Sequence, residues 1–176
     1  MVEDFKEQFA QGYLARREGR AADSRAIFIK AVRSAAEEGD RPSLAEALCG
    51  LGQAERDIGN LEASGHHYGN AVILYRQIGP PERLAYALRH QADILREECK
   101  PAEAEPLFLE AETLYRELGE DATLDLANTL RGLALVNQSL RKPDVARARW
   151  VDARALYAQC NIDAAVAECD KQMARV

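Results

Sequence analysis

Three features that carry chemistry or localisation in many proteins are missing from this 176-residue sequence. The cysteines stand far apart with no CxxC pair, so neither a zinc site nor a disulfide framework is predicted. They are Cys49, Cys99, Cys160 and Cys169, and we expect reduced, mostly buried thiols, because free cysteine behaves as a small hydrophobe. No stretch approaches the roughly 18 uninterrupted apolar residues of a membrane span. The sequence therefore predicts no metal and no membrane insertion.

Two further absences concern localisation and charge. The start, Met1 to Glu7, has neither the basic n-region nor the apolar h-region of a secretory signal, so we expect a cytoplasmic protein. There is also no excess of basic residues, because 23 Lys and Arg face 29 Asp and Glu, a formal net charge of −6. Nucleic-acid-binding proteins generally carry a basic surface, so this balance argues against general nucleic-acid binding.

A fixed period runs through the chain. Four aromatic residues recur at intervals of 40, 40 and 42, and an alanine follows each three residues later. The aromatic column is Phe28, Tyr68, Phe108 and Trp150, and small residues form further columns in the same register: Gly12, Gly52, Ala92, Ala134; Ser24, Ser64, Ala104, Ala146; and Gly39, Gly79, Gly119, Asn161. The two extra residues lie between Gly119 and Thr129, which places them in a turn. Such a period predicts a repeat protein whose units share a core.

Within each unit the apolar residues step by three and four, which predicts two helices per unit. Left-handed turn residues and prolines divide these helices at Gly19, Gly59, Cys99-Lys100-Pro101 and Arg141-Lys142-Pro143. We expect helices at about 3–18, 22–38, 43–58, 62–78, 81–98, 102–118, 122–140 and 144–160, and no strand. The repeats are then about 3–39, 43–79, 81–119 and 122–161, in a single domain over 1–176.

The tail predicts a ninth helix. Ile162, Val166, Cys169 and Met173 form one apolar stripe, and Asp163 is the expected N-cap. A terminal repeat exposes a core face, so we expect this helix, at 163–175, to cap the array.

These columns resemble the tetratricopeptide repeat (TPR), with its pattern W-x2-L-G-x2-Y followed by A-x3-F-x2-A. Leu51-Gly52 matches the first part, and Ala104, Phe108 and Ala111 match the second, as do Ala146, Trp150 and Ala153. The resemblance covers Phe5 to about Asn161 and is closest to the long-helix, kinesin-light-chain-like type with 40 to 42 residues per repeat. It implies an all-α, right-handed α-α superhelix of four helix hairpins plus a C-terminal capping helix.

The sequence departs from that pattern in its longer period, in lacking the leading tryptophan, and in Gln11 and Gln91 where leucine is expected. No specific partner is therefore carried over from the family. The resemblance still implies a non-enzymatic protein-interaction scaffold whose concave groove is lined by the first helix of each unit.

Residues spaced three and four along each first helix predict the groove. The candidate peptide-binding residues are Phe9, Tyr13, Arg16, Gln53, Arg56, Tyr86, Arg89, Asp93, Arg96, Asn128, Arg131, Leu135 and Gln138, in rows that also contain Lys6, Glu46 and Cys49. These rows carry six positive and two negative residues, so an acidic protein or peptide is the predicted partner. Arginine forks suit carboxylate or phosphate groups, and the aromatic residues suit apolar side chains.

Alternatives remain open for both surface and function. The arginines could instead be solvated, or paired with Asp57, Asp93 and Glu97 on adjacent helices. The domain could be a sensor that binds a small anionic or peptide ligand, or a structural homo-oligomer that pairs through its tail or convex face. The His66-His67 pair lacks a third metal ligand, and His90 lacks a nucleophile at a defined spacing, so no catalytic, cofactor or metal residue is predicted and we expect no enzyme.

Overall fold

This computed structural model describes residues 2–175, with side chains from residue 5. Helices fill most of this range, as the sequence predicts. No strand occurs between these residues. The α-helices are α1 (Val2–Arg17), α2 (Ala21–Glu38), α3 (Arg41–Asp57), α4 (Leu61–Ile78), α5 (Pro81–Glu97), α6 (Pro101–Leu118), α7 (Thr123–Ser139), α8 (Pro143–Gln159) and α9 (Asp163–Met173). A short 3₁₀ helix, Gly119–Ala122, precedes α7. It occupies the segment to which we assigned the two-residue insertion.

The helices group into two compact units, Met1–Ala87 and Leu88–Val176, and the division falls within α5. In the first unit, α1 to α4 pack in sequence, each against the next, and α1 also contacts α3. In the second unit, α6 to α9 pack in sequence. Packing between neighbours along the chain is typical of helical repeats. The single domain over 1–176 stays a prediction.

Left-handed residues end the first helix of each hairpin. Gly59 has a φ of 85°, and Cys99 and Arg141 occupy the same turn position with φ values of 60° and 56°. Around Gly59, two backbone hydrogen bonds close the helix end, from Gly59 N–H to the Arg56 carbonyl at 2.9 Å and from Asn60 N–H to the Glu55 carbonyl at 2.8 Å. This is the pattern of a Schellman C-cap, in which a left-handed residue satisfies the last carbonyls.

The turn before α9 corrects one prediction. Asn161 has a φ of 57°, Ile162 is the N-cap, and Asp163 is already the first helical residue. Only one residue separates the left-handed position from the helix, as in the hairpin turns, so the cap falls on Ile162. Asp163 therefore lies in the first helical turn, where its charge favours the positive end of the helix dipole.

Aromatic rings of the second helices fill the space left by glycines of the first helices. Phe28 of α2 is fully buried. A Cβ atom would lie 2.6 Å from its Cε2 if added to Gly12, and 2.2 Å from its Cε1 if added to Gly50. Phe108 of α6 meets Gly132 of α7 in the same way, at 2.4 Å from Cζ. Gly12, Gly50 and Gly132, of which only Gly12 belongs to the small-residue columns found in the sequence, thus let helices approach closely around a buried ring.

Candidate peptide-binding surface

A cavity of about 360 Å³ opens on the first unit. Its walls come from α1, from the start of α3 and from the start of α5: Phe5, Lys6, Phe9, Tyr13, Ser43, Glu46 and Arg83. Phe9 and Tyr13 belong to the predicted groove set, and Lys6 and Glu46 belong to its rows. The structure therefore brings one part of the predicted surface together around an open cavity.

The aromatic side of this cavity belongs to the core of the first unit. Phe9 is only 6% exposed, and its ring lies between those of Phe5 at 6.1 Å and Phe28 at 6.2 Å. Tyr13 is half-buried and meets Phe28 edge-on at 5.0 Å. Burial raises the pKa of the Tyr13 phenol well above its usual value, so the phenol stays neutral. The aromatic wall is rigid because the core holds it.

The rim of the cavity is charged. Lys6 is exposed, and no carboxylate of a described side chain lies within ion-pair distance of it. Arg83 and Glu46 approach each other to 3.7 Å, with side chains 50% and 29% exposed. A partly exposed pair at this distance contributes little to stability. Two cations and one carboxylate thus border an aromatic wall.

The remaining predicted residues of the first unit already have partners. Arg16 is bound to Asp57, with 2.5 Å between Nε and Oδ2, which is the alternative pairing that the sequence left open for it. The Gln53 amide donates a hydrogen bond to the Tyr86 hydroxyl. Arg56 is half-buried in the last turn of α3. A ligand carboxylate would have to replace Asp57 at Arg16.

Cys49, in the same rows, lies beneath this surface. It is 3% exposed, and burial raises the pKa of its thiol to about 12. A thiol with this pKa is protonated at neutral pH and inert as a nucleophile. Cys49 is therefore a packing residue.

In the second unit, Arg89 of α5 is a buried cation that carboxylates surround. It is 9% exposed and lies 3.9 Å from Asp93 and 3.3 Å from Asp125. Its guanidinium also lies 3.1 Å from the Nε2 atom of His90. A buried charge requires such pairing, so Arg89 belongs to the internal network of this unit.

The other two predicted groove arginines of the second unit, Arg96 and Arg131, are paired as well. Arg96 contacts Asp93 at 3.4 Å and Glu97 at 3.2 Å, two of the expected carboxylates, but both lie on its own helix α5 and not on an adjacent one. Arg131 of α7 holds Glu168 of α9 through two hydrogen bonds of 2.9 and 2.7 Å. A bidentate pair of this kind fixes both side chains. It ties α9 to α7 and supports a capping role for the tail.

The last three predicted residues lie along α7. Asn128 accepts a hydrogen bond of 2.8 Å from the Tyr157 hydroxyl, and Leu135 is half-buried. Gln138 lines a second cavity, of about 460 Å³, with Arg141, Pro143 and Arg175. The predicted set of the second unit thus divides between internal pairs and this cavity.

Sequence reasoning missed six described lining residues of the two cavities, all beyond the ends of the predicted rows: Phe5, Ser43, Arg83, Arg141, Pro143 and Arg175. Arg83 is one helical step before Tyr86, and Ser43 is one step before Glu46, so longer rows would have included both. Arg141 and Arg175 follow the ends of α7 and α9, and helical spacing gives no signal for them. Residues in turns do not follow the three-and-four spacing of a helix, so that spacing does not predict which of them line a surface.

A metal site and a membrane-spanning helix are both absent from the described residues. No group of three or more His, Cys, Asp or Glu side chains there could hold a metal ion. Of the helices within residues 2–175, none combines the length and apolar character needed to cross a bilayer.

The chain is similar in structure to TPR-like repeat proteins. It matches the crystal structure of BtubC (BKLC) from P. vanneervenii with a TM-score of 0.81 and 18% identity, over 89% of this chain and 64% of that chain. It matches a kinesin light chain-like protein of nearly identical TPR-like repeats from Podosopora anserina with a TM-score of 0.77 and 13% identity, over 89% and 76%. The chain therefore spans less than two thirds of BtubC. No family model and no curated protein matches the sequence.

These comparisons confirm the fold. At such identities they show the TPR-like all-α repeat architecture and nothing finer.

Proposed function

We propose that this TPR-like chain is a cytoplasmic, non-enzymatic scaffold that binds an acidic peptide segment of another protein on its first-helix face. The carrying observation is the first-unit cavity, where a rigid aromatic wall adjoins two exposed cations. Repeat proteins of this type bind partners through extended surfaces that successive units build.

The cavity suggests what the peptide presents. Its aromatic wall, Phe5, Phe9 and Tyr13, fits an apolar side chain, because burial of apolar area on both partners stabilises a complex. Lys6 and Arg83 lie on the rim, where they would attract carboxylates next to that side chain. The proposed ligand is therefore a large apolar residue flanked by Asp or Glu.

Arginines of this surface that already have a partner in the chain are less available to a ligand than unpaired cations are. Arg16 must leave Asp57 before it binds a ligand, whereas Lys6 has no carboxylate to leave among the described side chains. We therefore propose that Lys6 and Arg83 make the first ionic contacts and that Arg16 and Arg56 contribute less. A simple count of positive charges along the rows would instead give all of these cations the same weight.

Oriented peptide libraries test the proposal. One library fixes Leu, Phe or Trp between Glu and Asp residues, and the matched library fixes the same residues between Lys and Arg. We expect the chain to retain the acidic library and not the basic one, with an affinity that falls as salt rises from 50 to 300 mM, since exposed charges are screened.

Charge reversal then locates the contact. The double variant Lys6→Glu and Arg83→Glu should lose the acidic preference. The control Arg17→Glu removes an exposed cation of α1 outside the cavity and should keep it. Equal retention of both libraries, or equal losses in the two variants, would show that this cavity does not select acidic peptides.

A further inference from the structure

The second cavity, in the unit Leu88–Val176, has two arginines and one glutamine in its lining. The described residues that line it are Gln138, Arg141, Pro143 and Arg175, and its volume is about 460 Å³. Two guanidinium groups and one amide at a single concave surface offer many N–H donors, and the guanidinium groups have no acceptor. Nothing in the proposed peptide site of the first unit explains this arrangement.

Arg141 and Arg175 differ from the three predicted groove arginines of the second unit in having no carboxylate partner among the described side chains. Arg89, Arg96 and Arg131 all have a carboxylate within 4 Å. Among the described side chains, no carboxylate reaches Arg141 or Arg175 at ion-pair distance. Their charges are therefore unmatched within the described chain and are available to an external anion.

The neighbour Lys142 shows the contrast in a single turn. Its ammonium group binds both carboxylate oxygens of Glu105, at 2.8 and 2.9 Å. Arg141, one residue earlier, has no such partner among the described residues and lines the cavity instead. In this turn, Lys142 is thus paired within the chain and Arg141 faces the cavity.

The backbone at Arg141 adds an independent observation. Its φ of 56° lies in the left-handed region, where the equivalent turns of the first unit have Gly19 and Gly59. Glycine adopts this conformation without the steric cost that a side chain brings. The side chain that replaces glycine at this position is the one that lines the cavity.

We propose that this cavity is an oxyanion-binding subsite that takes a carboxylate or phosphate group of a partner peptide. Arg141 and Arg175 provide the charge, and the Gln138 amide can donate a further hydrogen bond. Planar guanidinium forks match both groups geometrically. Pro143 is the first residue of α8, so the positive end of that helix dipole also lies at the cavity wall. The subsite is independent of the first-unit cavity and goes beyond the function proposed above.

Anion titration followed by NMR tests the subsite directly. The arginine side-chain Nε–Hε signals of the full chain are recorded while inorganic phosphate, or succinate in a parallel series, replaces chloride at constant ionic strength. We expect the Arg141 and Arg175 signals to shift together and to saturate. Arg175→Gln should weaken this binding about ten-fold, the usual effect of removing one charged hydrogen-bonding group. The matched control Arg147→Gln removes an exposed arginine of α8 outside the cavity and should leave the affinity unchanged.

Arg141→Gly separates binding from a structural role. Relief of the left-handed strain should keep or raise the midpoint of thermal unfolding, while the anion affinity falls about ten-fold. Tighter binding of phosphate would indicate a phosphorylated partner side chain, and tighter binding of succinate an acidic one. Shifts no larger than those of Arg147, or a lower unfolding midpoint with unchanged anion affinity, would overturn the proposal.

Discussion

In each unit, a cluster of buried polar side chains links the second helix of one repeat to the first helix of the next repeat. The two clusters differ in which positions carry the charged groups. In the first unit, Glu55 of α3 is 2% exposed and accepts hydrogen bonds from Arg25 of α2 at 2.6 Å and from Asn60 at 3.1 Å. The carboxylate therefore stands at the buried centre of this cluster, and its cationic partner comes from the preceding helix.

In the second unit, the buried centre is neutral. Asn137 of α7, 2% exposed, donates a hydrogen bond of 2.7 Å to Glu105 of α6, and Lys142 donates to the same carboxylate. Residues 105, 137 and 142 stand two repeats after residues 25, 55 and 60. The cation has thus become a carboxylate, the central carboxylate an amide, and the outer amide a cation.

The difference teaches which property the repeat position requires. Both clusters place one carboxylate between two donors, and both satisfy the buried side chain at the centre. A buried polar group is costly only when it lacks a partner, so complementarity matters here and the identity of each residue does not. Single substitutions that break complementarity should therefore cost far more than paired exchanges.

The largest effect is expected from Asn137→Glu, which places the first unit's central residue in the second unit beside Glu105. Two carboxylates would then share a buried site, and we expect a loss of about 3 kcal/mol in the free energy of unfolding at pH 7.5. Repulsion raises the pKa of one carboxyl in the folded state above its unfolded value. The loss should thus be greatest above that raised pKa and shrink as the pH falls through it. Urea unfolding at pH 7.5 and 4.5 measures this.

Two controls separate charge from size. Asn137→Gln has nearly the shape of Asn137→Glu without the charge and should cost less than about 1 kcal/mol. Glu105→Arg added to Asn137→Glu rebuilds the first unit's arrangement and should recover about 2 kcal/mol. Equal losses for the Gln and Glu variants, or no recovery on adding Glu105→Arg, would refute the equivalence of the two clusters.

The aromatic–glycine contacts should respond alike in both units. Gly50→Ala would put a Cβ atom 2.2 Å from Phe28, and Gly132→Ala would put one 2.4 Å from Phe108. Both rings are fully buried and have no space to yield. We expect each substitution to lower the free energy of unfolding by about 2 kcal/mol, typical of an overpacked core, as measured by urea unfolding.

A double variant checks this cause. With Phe28→Leu in the background, Gly50→Ala should cost less than about 1 kcal/mol, because the ring that it meets is gone. Gly132→Ala in the same background should keep its full cost, since Phe28 does not contact it. Equal costs of Gly50→Ala with and without the ring would contradict the steric explanation.

The helices and their ends could be predicted from the sequence because glycines and prolines mark each turn. The predicted 43–58 and 62–78 agree closely with Arg41–Asp57 and Leu61–Ile78. The insertion falls in the 3₁₀ helix, as its position between Gly119 and Thr129 required. These features depend on local backbone preferences, which the residues of each turn determine.

The surface could be predicted only in part. Helical spacing places Arg16 and Arg131 on the first-helix faces, but their carboxylates, Asp57 and Glu168, come from other helices. Which charges meet depends on the packing between helices and on rotamers, neither of which the spacing contains. For the same reason a count of positive residues along the rows did not show how many of them were already paired. Phe9 was predicted as a ligand contact, and the structure adds that it is also a core residue.

The hairpin turns give the smallest expected differences between the units. Gly59 of the first unit and Cys99 of the second share the left-handed position, with φ values of 85° and 60°. A side chain costs about 1–2 kcal/mol in this conformation, and glycine costs part of that in unfolded-chain entropy. We therefore expect Cys99→Gly to raise the free energy of unfolding by about 0.5 kcal/mol, and Gly59→Ala to lower it by a similar amount.

Exchanging the two residues decides whether strain alone accounts for these values. A Cβ atom at Gly59 meets nothing within 4 Å, so Gly59→Cys adds strain but no clash, and Cys99 is an exposed thiol. If the turns are equivalent, Gly59→Cys lowers the free energy of unfolding by the amount that Cys99→Gly raises it. The variant with both changes then has the stability of the parent, as measured by urea unfolding under reducing conditions. A double exchange that differs from the parent by more than about 0.5 kcal/mol would mean that one turn depends on its residue through contacts beyond the backbone, because distant independent sites are additive within that margin.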